Sequence, residues 1–306
     1  MKAIAYSAYG NPATLELVDV PEPKVGPGEV LVRVKAAGVN PVDWKLSAGH
    51  LDPILEVRHP VIPGWDVAGV VEAVGPDTSE YAVGDEVYGY VRKEWVQLGT
   101  YAELVAAPVR TLARKPRELT FEQAAGIPLA GLTAYQAITR AGVTAGQTVV
   151  IHSAAGGTGS LGVQIAVSLG ARVIGTAGAH NHEFLRELGA EPVLYGEGAA
   201  GRIRALAPEG VDVGLDFYGE GGVELLQSVV REGAPVISIA DGDADAKGAR
   251  HIWVRPDTAD LTALAELADA GRLLVNVEHA LPLADAARAW ELSATGRTRG
   301  KIVLSV

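Results

Sequence analysis

The chain contains no cysteine. That absence removes disulfides, thiolate nucleophiles, cysteine-bearing zinc sites and iron–sulfur clusters together, and it is neutral about redox compartment. The seven histidines and the carboxylates could still hold a metal, but no HExxH-like spacing occurs among them. Positive charge is scarce: 26 Lys and Arg stand against 37 Asp and Glu, a net charge of −11. A nucleic-acid or anionic-membrane surface needs clustered basic residues to displace counterions, so neither partner is expected. No run of about 18 apolar residues is present to span a bilayer. The opening MKAIAYSAYG is broken by Ser7 and Gly10 before a signal-peptide core could form. A cytoplasmic enzyme is the expectation. No repeat or low-complexity segment occurs.

What is present suits an ordinary globular chain. Its 306 residues, 48% hydrophobic and 21% charged, provide for two domains at roughly 150 residues each. In the first hundred residues Val30, Val32 and Val34 alternate with Leu31, Arg33 and Lys35, the period of a strand with one buried face. The run 67–74, with Gly69 inside it, is a second strand, and Pro21, Pro23, Pro27, Gly28, Pro60, Pro63, Gly64, Gly75, Pro76 and Gly84 mark turns. The expectation is a small, mostly antiparallel β domain.

From about residue 119 the texture changes. Short apolar runs at 149–152, 173–176, near 193, at 213–217 and at 236–239 alternate with helical segments at 161–169, 183–188 and 223–230. Strands alternating with helices of this size imply βαβ units and a parallel sheet. The last residues differ again, with an apolar stretch 273–277, a helix 284–292 and the closing Gly300-Lys301-Ile302-Val303-Leu304. The expected division is 1–118, 119–271 and 272–306, the third segment returning to the first domain.

The run Val149-Val150-Ile151-His152-Ser153-Ala154-Ala155-Gly156-Gly157-Thr158-Gly159 is the most informative in the chain. It reads as a buried strand, a variant GxGxxG turn with Ala154 in first place, and a helix start. Small residues are needed there: Gly156 lets backbone approach a pyrophosphate, Gly159 lets helix and strand pack closely, and the helix N-terminus offers free N–H groups. Ala154, Ala155, Gly156, Gly157, Thr158 and Gly159 are therefore the expected pyrophosphate cradle. A site for NAD usually carries an acid about 20 residues beyond the first glycine, to bind the ribose 2′-hydroxyl. Residues 160–182 hold no acid, and the first is Glu183, which favours NADPH. His180 and His182, with Arg186 and Tyr195 nearby, are the candidates to face the 2′-phosphate, although both histidines could equally be solvated loop residues.

Gly38-Val39-Asn40-Pro41-Val42-Asp43, Pro63-Gly64-Trp65-Asp66-Val67-Ala68-Gly69, Val83-Gly84-Asp85-Glu86-Val87-Tyr88-Gly89, Gly131-Leu132-Thr133-Ala134-Tyr135 and Gly300-Lys301-Ile302-Val303-Leu304, taken together and in order, resemble the zinc-independent quinone oxidoreductase branch of the medium-chain dehydrogenase/reductase superfamily. The resemblance implies a GroES-like substrate domain built from both termini, a Rossmann domain between them and an active site in the intervening cleft. It also implies reduction of quinones or α,β-unsaturated carbonyls and a homodimer. Zinc-bearing relatives carry Cys where this chain has Asn40, His where it has Trp65 and a second Cys near Leu129. Every one of those ligands is missing, which rejects a Lewis-acid zinc. Relatives often place Lys at the position of His182, and tyrosines of their substrate cleft are replaced here by Trp44 and His50.

Without a metal, hydride transfer must be accelerated by positioning and by stabilising the developing oxygen charge. Asn40 is the candidate polar group, with Thr133 as a second. Asn40-Pro41-x-Asp43 also reads as a helix start, with Asn at the N-cap and Pro at the first helical position, and the two readings are compatible. Trp44, His50, Trp95 and Tyr218 are candidate substrate-lining residues, each also able to serve packing alone. Asp216, after its strand, is read as a turn cap. Two alternatives stay open: an enoyl-thioester reductase, for which no basic phosphate patch is visible, and a non-catalytic NADPH-binding protein of the crystallin or regulatory kind.

Overall fold

A computed structural model describes all 306 residues, Met1–Val306. The chain divides into two compact units. One comprises residues 1–132, 256–271 and 275–306; the other comprises 133–255 and 272–274.

In the second unit, Val149, Val150 and Ile151 are fully buried within the strand Thr148–His152. Burying each such side chain contributes about 1.5–3 kcal/mol, which sets this strand at the centre of its sheet. Six parallel strands follow the order Ala190–Leu194, Arg172–Ala177, Thr148–His152, Val213–Asp216, Val236–Ser238 and Arg250–His251. Numbered along the chain this is 3-2-1-4-5-6, the doubly wound Rossmann arrangement expected from the alternating pattern. The order reverses beside Thr148–His152, so the turn after that strand lies at the topological switch point, where such sheets bind ligands. The helices Gly157–Ser168, His182–Glu187, Ala199–Leu206 and Gly222–Gln227 form the crossovers. Ile203 and Leu226 pack with Val150, Ile174 and Val193 in one core cluster.

The first unit is built on a seven-stranded sheet. Its axis is Glu29–Val39, an eleven-residue strand in which Val30, Val32 and Val34 are buried and Arg33 and Lys35 are exposed, as their alternation requires. Leu31, expected on the outer face with them, is buried too, where Leu104–Pro108 covers that end of the strand. Asp66–Val74, Leu104–Pro108 and the C-terminal strand Lys301–Ser305 all pair with it antiparallel. Glu86–Tyr90 and Leu112–Arg114 extend the sheet on one side. On the other side Val277–Pro282 joins Lys301–Ser305 in parallel, and a separate parallel pair forms between Glu56–Ile62 and Trp95–Leu98. The GroES-like β character stands with these two parallel pairs added. No helix of the chain is long and apolar enough to cross a membrane.

Candidate functional site

The nucleotide loop is built at the end of Thr148–His152. Ser153 turns the chain with φ at +62°, a left-handed conformation that a serine rarely adopts. Its backbone N–H donates to Thr176 Oγ1 (3.1 Å) and the Ala154 N–H donates to the Thr176 carbonyl (2.9 Å), so the neighbouring strand Arg172–Ala177 holds the turn in place. Gly156 then caps the twelve-residue helix Gly157–Ser168. A Cβ at Gly159 would collide with the Ser153 carbonyl oxygen and lie 2.7 Å from Ala154 Cα. A Cβ at Gly156 would meet nothing closer than Ser153 Oγ at 3.4 Å. Gly159 is thus small for the chain's own packing, whereas Gly156 leaves space beside the first-turn N–H groups. That combination fits a dinucleotide pyrophosphate.

Beyond Arg172–Ala177, His180 and Tyr195 come together over Gly178: a Cβ there would lie 2.8 Å from the His180 ring and 3.6 Å from the Tyr195 ring. His180 is exposed and Tyr195 is 58% exposed. His182 begins the next helix half-buried, with Nε2 buried and without a partner, so the two histidines do not share one environment. Arg186 pairs with Glu183 at 2.9 Å. Sequence reasoning passed over Arg202, whose guanidinium donates to the carbonyls of Leu194, Tyr195 and Glu197 and so orders the turn that carries Tyr195. Nothing local in the sequence marks it.

At the other side of the switch point the buried Asp216 accepts the N–H groups of Tyr218 and Gly219, each at 3.0 Å, and the Ser238 hydroxyl at 2.6 Å, the turn cap expected of it. Tyr218, half exposed, stands edge-on to His152 with ring centroids 5.9 Å apart. Burial pushes the His152 pKa down, with Asp216 acting in the opposite sense, and Nδ1 bonds Thr176 Oγ1 at 2.8 Å. Thr133 is buried in the helix Pro128–Ala141.

In the first unit Asn40 stands at the N-cap of the helix Pro41–Ser47, where the motif places it. Its backbone N–H donates to Asp43 Oδ2 (2.9 Å), which also accepts from Tyr101 (2.8 Å). The Asn40 amide donates through Nδ2 to Asp66 Oδ2 (2.8 Å) and accepts at Oδ1 from Lys301 Nζ (2.6 Å). Lys301 also donates to the Val39 carbonyl (3.0 Å), and Asp66 Oδ1 accepts the Leu129 N–H (2.9 Å). All of these side chains except that of Leu129 are buried.

Burial pushes both carboxyls up, Asp43 to about 7 and Asp66 to about 6. The hydrogen bonds to Asp43 oppose its shift, and Lys301 with Asn40 opposes that of Asp66. Burial pushes the Lys301 ammonium down, against the pull of the two aspartates. Asp43 Oδ1 has no partner and borders, with Tyr6, Trp65 and Trp95, a cavity of about 10 Å³, the size of one water.

The expected substrate-lining residues scatter. Trp95 reaches the cavity edge, 40% exposed, beneath the Arg58 guanidinium at 4.3 Å. Trp44 donates its indole N–H to Ser293 (3.3 Å) and packs toward the helix Ala286–Ala294, and His50 is exposed just past the helix that bears Asn40. Sequence reasoning missed Asp43, Asp66, Tyr101 and Lys301 as one network. A signal existed in Lys301, the lone charge of its strand, followed directly by the apolar run Ile302-Val303-Leu304.

A doubly wound sheet with a small-residue cradle at its switch point, together in one chain with a β unit that holds a buried polar cluster, defines a dinucleotide-dependent oxidoreductase of the alcohol dehydrogenase type. Residues 26–117 match the alcohol dehydrogenase GroES-like domain, and residues 188–304 match the zinc-binding dehydrogenase family. The chain is 32% identical to a chloroplast envelope quinone oxidoreductase homolog of Arabidopsis thaliana, covering 99% of this chain and 98% of that one. It is 33% identical to a chloroplastic NADPH-dependent alkenal/one oxidoreductase of the same plant, over 99% of this chain and 79% of that one. The solved quinone oxidoreductase of Coxiella burnetii superposes with a TM-score of 0.87 at 33% identity, covering 100% of this chain and 99% of that one. The chain belongs to the quinone oxidoreductase branch of the medium-chain dehydrogenase/reductase superfamily.

Proposed function

We propose that this enzyme reduces a quinone or an α,β-unsaturated carbonyl with NADPH, without a metal. The observation that carries the reading is the cradle Ser153–Gly159, where Gly156 leaves room for a pyrophosphate and no acid stands at the end of Arg172–Ala177 to repel a 2′-phosphate. The names of the relatives, quinone oxidoreductase and NADPH-dependent alkenal/one oxidoreductase, support the substrate class. Ala154, Ala155, Gly156, Gly157, Thr158 and Gly159 would hold the diphosphate, and His180 and Tyr195, with His182 behind them, the adenosine ribose end.

When bound, the reduced nicotinamide supplies a hydride, and the reduction is completed by a proton from water. In this reading Asn40 holds the substrate oxygen as it gains negative charge, a role in which one donor is worth about 10²–10³ in turnover. Thr133 offers a second hydroxyl. Trp95, His50 and Tyr218 line the substrate, and Trp44, its N–H committed to Ser293, offers ring surface alone. The substrate domain (1–118 and 272–306), the dinucleotide domain (119–271), a homodimer and a cytoplasmic location belong to the same proposal.

The test is NADPH oxidation against a panel of quinones and enones, with the variant Asn40→Ala in parallel. Turnover on the panel that falls at least about tenfold in Asn40→Ala, with the NADPH Kd unchanged, supports it. Tight NADPH binding with no turnover on any acceptor favours the non-catalytic alternative.

A further inference from the structure

Asn40 is an amide held between opposite charges. Asp66 accepts from its nitrogen at 2.8 Å and Lys301 donates to its oxygen at 2.6 Å. Neither charge is free to follow the amide if it turns, because Asp66 is tied to the Leu129 N–H and Lys301 to the Val39 carbonyl. The two ends of an asparagine amide are nearly the same size, so an unrestrained side chain can present either one. Here rotation by half a turn would set the carbonyl oxygen against the Asp66 carboxylate and the NH₂ group against the Lys301 ammonium. Two charge-assisted hydrogen bonds would become two repulsions in a buried site, where both effects are largest.

An amide nitrogen carries two hydrogens, and Asp66 takes one. The other bonds to nothing in the chain, while the oxygen is already engaged by Lys301. The group that Asn40 has left to offer is therefore a donor.

We propose that Asp66 and Lys301 are positioning residues that lock Asn40 to present an N–H, making the site a reader of an acceptor oxygen on which negative charge builds. This selects a carbonyl or quinone oxygen over a group that must itself donate, such as an amine or ammonium. The proposal rests on the reading of Asn40 as the residue that meets the substrate.

A double-mutant cycle on the full-length protein tests it, using Lys301→Met, Asn40→Ala and the pair, with kcat and KM for a quinone, NADPH Kd by fluorescence and Tm for each. Lys301→Met is expected to lower kcat on the order of tenfold through loss of orientation, with NADPH Kd held within about twofold. In the Asn40→Ala background the same change should lower kcat no further, because there is no amide left to orient. Asp66→Asn keeps the shape of the side chain and an acceptor for the Leu129 N–H, and serves if Lys301→Met does not fold; it should behave in the same way.

Losses that multiply in the double variant, or an unchanged kcat in either folded single variant, would overturn the positioning role while leaving Asn40 in place. An unchanged kcat in Asn40→Ala itself would instead overturn the reading beneath it, and the proposal with it.

Discussion

A Cβ on Gly159 would collide with the carbonyl oxygen of Ser153, whereas one on Gly156, three residues earlier, would meet Ser153 only at ordinary contact distance, Oγ at 3.4 Å and the carbonyl oxygen at 3.6 Å. The two glycines should therefore fail differently. Gly159→Val must move helix from strand, so it should abolish NADPH binding and lower Tm together. Gly156 has φ at −73°, open to any residue, so Gly156→Ala should leave Tm nearly unchanged while weakening NADPH by about tenfold or more, because only the bound diphosphate needs that space. Fluorescence titration and thermal unfolding of both variants check this. Full affinity in Gly156→Ala would place the diphosphate elsewhere.

Cofactor choice should respond to position 180 more than to position 182. The His180 ring stands exposed beside Tyr195, while His182 keeps Nε2 buried. Lysine carries a full charge at neutral pH, so His180→Lys should tighten NADPH several-fold and leave NADH almost unmoved. His182→Ala should show chiefly in Tm. Dissociation constants for both cofactors decide it, and a preference that follows position 182 instead would assign the 2′-phosphate to that side.

Stability should carry the mark of Asp43. Its carboxyl, pushed by burial from 3.8 to about 7, keeps its proton in the folded protein after the unfolded chain has lost it. The stability so contributed is complete below about pH 4 and is lost as pH rises to about 7. Asp43→Asn keeps acceptors for the Asn40 N–H and the Tyr101 hydroxyl but cannot ionise. Its stability relative to the parent should rise by a few kcal/mol between about pH 4 and pH 8. Urea unfolding of the two proteins across that range measures the difference, and a constant difference would mean that Asp43 ionises at its ordinary pKa.

Chelation should have no effect on turnover. The resemblance implies that Asn40, Trp65 and a position near Leu129 correspond to the ligands of zinc-bearing relatives, and none of these residues offers a thiolate or imidazole. Activity after EDTA, with metal analysis on the same sample, checks this. One zinc per chain, with activity lost on its removal, would contradict it.

The parts of the fold legible in the sequence are those whose physics is local. The cradle 154–159 was readable because a strand, a tight turn and a helix start each demand particular small residues within a dozen positions. The helix Pro128–Ala141 was not, since nearly every residue from Pro128 to Ile138 is buried and no apolar stripe remains to show its period. Thr258–Asp269 did carry a signal and was passed over: Asp257 caps its first turn through the N–H groups of Ala259 and Asp260, and Leu261, Leu264 and Ala268 recur on one face. Asn40 itself could be picked out, but its partners Asp66 and Lys301 lie 26 and 261 residues away, a separation no local pattern spans.

That last separation bears on how the molecule comes to be made. The strand Lys301–Ser305 lies inside its sheet, between Glu29–Val39 and Val277–Pro282, yet it follows every other strand of the two units along the chain. The second unit, residues 133–255 with 272–274, is wholly translated before that strand exists, so it can fold while the first unit still lacks an interior strand. Until then Asn40 faces Asp66 with no ammonium opposite, and residues 36–39 of the long strand, the stretch that Leu104–Pro108 leaves uncovered, form an unpaired edge open to wrong partners. The β unit can therefore close its sheet only after the whole of the second unit has been made, because that unit separates Lys301–Ser305 from its partner Glu29–Val39 along the chain.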